Sequence, residues 1–134
     1  MQIKQLTHQE LNEILHLDGR FKSHWSKDTY LERLELFPDL AYGAYIDGKL
    51  IGFILGKRED EHVMISRIVV QKQFEGQGIG SKLLKVFLTC SNRFRSIVRV
   101  NNLRSVNLHM HHGFAVHSNY EYANGDQGFI LQKY

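Results

Sequence analysis

Residues 68–84 read Ile68-Val69-Val70-Gln71-Lys72-Gln73-Phe74-Glu75-Gly76-Gln77-Gly78-Ile79-Gly80-Ser81-Lys82-Leu83-Leu84, a β-branched run, a glycine-rich turn and the opening of an amphipathic helix. Glycines at alternate positions let successive N–H groups face one side without Cβ clashes, and the dipole of the following helix adds positive potential there. Strand, turn and helix N-terminus together make an anion site able to hold a pyrophosphate, although an ordinary flexible βα turn would read the same way. The nucleotide motifs do not fit. A Walker loop needs G-x-x-x-x-G-K-[ST], which is absent, and the dinucleotide fingerprint G-x-G-x-x-G fails because Gly76-x-Gly78 runs on to Ser81.

Working outward, Val63 and the residues up to Gln71 read as the strand that enters this turn, and residues 78–93 as a helix with Ile79, Leu83, Phe87 and Cys90 on its apolar face. Upstream, residues 40–46 and 51–56 are strand-like runs flanking Asp47-Gly48, a hairpin signal. Thr7-His8-Gln9-Glu10 has the capping-box form S/T-x-x-E, which starts a helix at about Thr7, and a second helix starts at Ser26 or Thr29 and closes before Pro38. Downstream come a strand over 96–100 and a short helix over 102–112 stopped by Gly113. A hairpin follows, with residues 114–122 and 129–133 around Asn124-Gly125. The expected order is β-α-α-β-β-β-α-β-α-β-β over residues 1–134, one packed domain without repeats or linkers.

Composition agrees and excludes several classes. The 134 residues are 43% hydrophobic, 11% aromatic and 23% charged with one Pro, too rich in core-forming side chains for a disordered chain. The longest apolar stretch, residues 50–55, is far short of the roughly 20 needed to span a bilayer, so no membrane association is expected. No secretory signal is visible at the N-terminus, and a single Cys cannot form an internal disulfide, so a cytoplasmic location is the default. A net charge of +3 is too small to imply nucleic acid.

The segment from Ile68 to Leu84 resembles motif A of the GNAT superfamily of N-acetyltransferases, a strand, an (R/Q)-x-x-G-x-(G/A) turn and a helix. Residues 102–114, Asn102-Leu103-Arg104-Ser105-Val106-Asn107-Leu108-His109-Met110-His111-His112-Gly113-Phe114, resemble motif B, N-x-x-(A/S)-x-x-L-(Y/H)-x-x-x-G-F. The element order is similar to that of the family over the whole chain. The resemblance implies a mixed α/β (α+β) domain with a central, mostly antiparallel sheet flanked by helices. It implies acetyl-CoA as cosubstrate, no metal, and transfer to a primary amine of a small molecule or peptide by direct attack. A homodimer is left open. The backbone of Ile68, Val69 and Val70 would pair with the pantetheine arm, and the amides of Gly76, Gln77, Gly78, Ile79, Gly80 and Ser81 would hold the pyrophosphate. Asn102 and Ser105 would lie beside the pantetheine end, where two parallel strands splay apart. One position departs from motif A: Glu75 stands where Arg or Gln is usual, and its side chain is expected to turn into solvent.

An amine attacking a thioester needs a neutral nitrogen and a proton for the departing thiolate. Family members place a Tyr hydroxyl where this chain has His109, and the branch resembling phosphinothricin acetyltransferases has His there. By that resemblance His109 is the acid, and an imidazole with an ordinary pKa of about 6.5 can serve. For the base, Glu61 and His62 are the candidates, from the charged cluster that opens the central strand; the inward mid-strand positions are read as Met64 and Ser66. His109, His111 and His112 lack the spacing of a metal site, since only His109 and His112 share a helix face. Cys90 reads as a buried small hydrophobe. Trp25, Tyr30 and Phe37 lie in the helical pair that forms one wall of the acceptor site in the resembling fold, and core packing accounts for them equally well. The alternative function is a catalytically degenerate acyl-CoA-binding regulatory or partner-binding module, which Glu75 and the missing mid-strand carboxylate favour.

Overall fold

Thr7 closes the capping box that its spacing predicts. Its hydroxyl accepts from the Gln9 N–H at 3.2 Å and the Glu10 carboxylate accepts from the Thr7 N–H at 3.2 Å, starting a single 3₁₀ turn that runs into α1 (Leu11–Asp18). The computed structural model describes residues 1–19 and 25–134. Before the cap lies β1 (Gln2–Gln5); after α1 come α2 (Lys27–Leu36), β2 (Ala41–Ile46), β3 (Lys49–Arg58), β4 (Val63–Val70), α3 (Ile79–Phe87), β5 (Phe94–Arg99), α4 (Leu103–His111), β6 (Ala115–Glu121) and β7 (Gln127–Lys133). The order is the expected one. Ser26 caps α2 by accepting from the Thr29 N–H, and Asp47 and Gly48 both take positive φ, 50° and 76°, as a two-residue primed turn demands.

The helix after the glycine turn is shorter than its expected extent to Arg93. It ends at Phe87, where the Thr89 hydroxyl donates to the Val86 carbonyl at 2.7 Å and the Cys90 N–H bonds to Phe87 O. A short hydroxyl side chain offers the backbone a local alternative to the helical ladder. Cys90 therefore sits in the turn beyond α3, half-buried, rather than on the helix itself.

The strands form one sheet in the order β1-β2-β3-β4-β5-β7-β6, antiparallel throughout except for β4 and β5. Each face has its own core. On one face α3 contributes Ile79, Leu83, Leu84 and Phe87, packed on Ile51, Ile54, Val63, Ile65 and Leu131, with Val106 and Leu108 of α4 at the margin. On the other, Leu11, Ile14 and Leu17 of α1 and Tyr30 and Leu34 of α2 pack on Leu50, Phe53, Leu55 and Val69. Gly56 is needed where α3 comes closest to β3, because a Cβ there would lie 2.5 Å from Phe87 Cζ and 2.6 Å from the Met64 carbonyl oxygen.

Candidate active site

The site begins with one extra residue in β4. Leu55 pairs with Arg67 and Gly56 with Ile65, so Ser66 is unopposed and forms a β-bulge. Alternation inverts there. Val63 and Ile65 before the bulge, and Ile68 and Val70 after it, pack on the α3 side, whereas Val69 packs with α1 and α2 and Arg67 turns to Asp18 of α1. Pairing with β5 covers only Val63, Met64 and Ile65, opposite Phe94, Arg95 and Ser96. Beyond Ile65 the two parallel strands separate, and the β5-facing edge of β4 is open along Ile68, Val69 and Val70.

Two cavities meet in that gap. One, about 680 Å³, is lined by the glycine turn (Gly76, Gly78, Ile79, Gly80 and Ser81), by Ile68 and Val70, and by α4 residues including Arg104 and Ser105. The other, about 620 Å³, is lined by Ser66, Arg67, Ile68 and Val69 of β4, Ser96 and Arg99 of β5, His109 and Tyr122. Ile68, Asn102 and Ser105 line both. Gly76 and Gly78 have φ of 79° and 80°, and a Cβ built on either meets no heavy atom within 4 Å. Left-handed glycines at a helix start, opening onto a groove, form the cradle of amides that an anion fits. Gly78 is the N-cap of α3, whose first-turn N–H groups have no partner within the helix. Ser81 is held by its hydroxyl, 2.6 Å from Nε2 of His112. Asn102 caps α4, its side-chain oxygen accepting from the Ser105 N–H at 3.3 Å. Gln77 is exposed in the turn, outside the lining of either cavity.

Glu75 does not turn into solvent. It lines the first cavity, and its carboxylate lies 3.7 Å from Nη2 of Arg104 on the opposite wall. Opposite charges facing across a groove explain its inward pose. Arg104 carries no signal of its own in the motif and was legible only as the cation two residues beyond Asn102.

His109 is 1% exposed. Its Nδ1 lies 2.7 Å from the Ser105 carbonyl oxygen and its ring stands edge-on to Phe114 at 5.0 Å. Burial holds its pKa below the ordinary value, partly opposed by the Ser105 hydrogen bond and joined by the nearby charge of His112. The base candidates are elsewhere: Glu61 is exposed in the β3–β4 connection, and the His62 ring stands edge-on to Tyr134 at 5.9 Å, with neither lining either cavity. Met64 is also outside both linings, whereas Ser66 enters the second cavity through the bulge. Among the described residues, no group of three or more His, Cys, Asp or Glu side chains is arranged to hold a metal ion, and no helix is long and apolar enough to cross a membrane.

The wall on the α1–α2 side rests on a buried ion pair that sequence patterning missed. Asp18 is 1% exposed; its Oδ1 accepts from Nε and Nη2 of Arg67 at 2.9 and 2.7 Å, and its Oδ2 from the Trp25 N–H at 2.8 Å. The guanidinium groups of Arg67 and Arg33 lie 5.1 and 5.3 Å from the Trp25 ring, which tilts against Tyr30 at 5.1 Å. Phe37 packs instead at the margin of the α3-side core.

This architecture has known counterparts. An uncharacterised N-acetyltransferase of Methanocaldococcus jannaschii is 29% identical over 102 residues, covering 75% of this chain, and the chain spans 64% of that relative's length. Ard1 from Thermoplasma volcanium superposes with a TM-score of 0.91 at 18% identity, covering 98% of this chain and 95% of that one. Arabidopsis thaliana Naa50, solved with the bisubstrate analogue CoA-Ac-MVNAL, superposes with a TM-score of 0.86 at 21% identity, covering 99% and 97%. The family model described as acetyltransferase (GNAT) family matches residues 8–114, and the chain belongs to that family.

Proposed function

We propose that the protein transfers the acetyl group of acetyl-CoA to a primary amine of a peptide or small molecule by direct attack. The observation that carries this reading is the junction of the two cavities at Ile68, Asn102 and Ser105, which lets a ligand held on the glycine turn meet a second ligand in the β4–β5 gap. The cofactor's phosphates fit the open amides of residues 76–81, and its extended arm fits the unpaired edge of Ile68, Val69 and Val70. When bound, acetyl-CoA supplies an activated acyl group; the chain supplies orientation and the handling of one proton. Cys90 lines neither cavity, which supports direct transfer without an acyl-enzyme. The peptide-bearing analogue held by the Arabidopsis neighbour supports a peptide amine as one acceptor class. In the second cavity the charged groups of the described residues are Arg67, paired with Asp18, and Arg99, paired with Asp126 at 3.2 Å. Among the described residues the carboxylate of that lining, Asp126, is already paired with Arg99, which favours an acceptor with one amine over a polycation. A cytoplasmic setting suits the lone Cys90.

A catalytically silent acyl-CoA-binding module is the second reading, favoured by Glu75 and by the lack of a mid-strand carboxylate. Thiol release measured across a panel of peptides and small amines separates the two. Turnover with any monoamine supports transfer, and CoA binding without turnover on the whole panel would establish the silent module.

A further inference from the structure

The two ring nitrogens of His109 have different fates. Nδ1 lies 2.7 Å from the Ser105 carbonyl oxygen, an atom that can only accept, so Nδ1 carries a proton. In a neutral imidazole one nitrogen donates and the other accepts, which leaves a lone pair on Nε2. Nε2 is buried without a protein partner, and His109 is one of the residues around the acceptor cavity. Ser66, placed by the bulge, is a second residue around that cavity with a buried and unpartnered polar atom, its Oγ. A buried polar atom without a protein partner is costly, and two on residues around one cavity mark where a water or a ligand satisfies them.

Resting on the acetyltransferase reading, we infer that Nε2 of His109 is the proton acceptor for the attacking amine, and so a base before it becomes the acid that motif register implied. The proton leaves the amine nitrogen as the N–C bond to the acetyl carbon forms and passes to Nε2. It ends on the CoA sulfur as the C–S bond breaks, so the imidazole returns to its starting state and atoms and charge balance. The Ser105 carbonyl stabilises the transient imidazolium through Nδ1–H. The other titratable or charged groups around the ring leave this assignment intact. Arg67 and Arg99, on β4 and β5, are paired with Asp18 and Asp126; Tyr122 is a neutral phenol whose pKa burial raises; and His112, at the end of α4, opposes a second positive charge.

Long-range ¹H–¹⁵N spectra of the wild-type protein test this without turnover. The expected result at pH 7 is a protonated Nδ1 and a bare Nε2 at His109, with titration only below about pH 6.5; a protonated Nε2 or an imidazolium at pH 7 overturns the proposal. In kinetics, kcat/KM should fall on the acidic side with the pKa of His109, and His109→Gln should lose that limb along with about 10²- to 10⁴-fold in kcat. His109→Tyr should not rescue, because a phenol with a pKa near 10 donates but does not accept at neutral pH. Recovery in His109→Tyr would overturn the acceptor role in favour of a donor. If wild type acetylates no amine at all, the acetyltransferase reading falls and the base role with it; a protonated Nε2 in an active enzyme overturns the base role alone.

Discussion

Replacing Gly78 by aspartate, with asparagine as its neutral isostere, separates charge from shape at the glycine turn. At φ +80° an L residue costs about 1–2 kcal/mol, less for Asn and Asp, and a Cβ at this position meets nothing within 4 Å, so neither variant clashes. Both carry the same backbone penalty, modest against a typical stability of about 5–15 kcal/mol, and both should fold. Only the charge differs. A carboxylate about 5 Å from one phosphate charge is unfavourable by about 0.8 kcal/mol in water and about 3 kcal/mol at an effective dielectric of 20. That range corresponds to roughly fourfold to some 200-fold in affinity. Calorimetric titration with acetyl-CoA should find Gly78→Asp weaker than Gly78→Asn by a factor in that range, with the gap narrowing as salt rises. Equal thermal melting of the two variants would verify that the fold is shared. If the two bind equally, no anion sits on the turn between Gly76 and Ser81 and the cofactor placement is wrong.

Glu75→Gln releases Arg104 from its 3.7 Å pairing and removes a negative charge from the groove. Since exposed pairs are worth about 0.2–1 kcal/mol, acetyl-CoA affinity should rise up to about fivefold at low salt, as measured by calorimetry, while Arg104→Ala should lower it. Cys90→Ala should leave kcat unchanged and lower urea stability by about 1 kcal/mol, since the thiol is half-buried and burial holds its pKa up, away from the thiolate form. Asp18→Ala should cost about 3–5 kcal/mol in urea denaturation, because it leaves the Arg67 guanidinium buried without its carboxylate. For pH, burial lowers the folded-state pKa of His109, so the unfolded chain takes up the proton first. This contribution is full above the unfolded value near pH 6.5 and should fall below it by up to about 1.4 kcal/mol per pH unit; His109→Phe should reduce the overall slope by that amount and leave the part due to His112, whose pKa burial also lowers.

Elements with local signals were legible. The capping box at Thr7, the Asp47-Gly48 turn and the stop at Gly113 each depend on a few adjacent residues, and each appears where its chemistry puts it. The glycine turn and Asn102 were legible for the same reason. The place of Ser66 was not, because no pattern in the sequence encodes a bulge. Continuous alternation put Met64 and Ser66 on one inward face, and with no carboxylate there the charged cluster at the strand's start supplied Glu61 and His62. One unpaired residue shifts the phase, so that Ser66 enters the cavity and Met64 lies outside its lining. The Asp18–Arg67 pair joins residues 49 positions apart, and nothing in either local sequence marks the other. The acid assigned to His109 came from motif register; the tautomer came from a backbone carbonyl whose position only the helix fixes.

The insertion of Ser66 has three consequences that depend on one another. It turns Arg67 toward α1, where Asp18 must compensate it because a buried guanidinium without a carboxylate would be strongly destabilising. That pairing leaves the basic side chain that β4 contributes to the cavity wall already neutralised, so it does not repel an approaching amine. It also places the unpaired edge of Ile68, Val69 and Val70 on the side from which β5 has departed, since the ladder with β5 ends at Ile65, one residue before the bulge. Under the proposed function, an extended ligand arm would complete β4 from one direction while the acceptor reaches His109 from the other. A sheet with β4 and β5 paired to their ends would satisfy more backbone hydrogen bonds and would have no gap in which the two ligands could meet. The open edge and the unpartnered Nε2 are therefore costs in stability that, under the proposed function, bound ligands offset, whereas the Asp18–Arg67 pair is satisfied within the protein.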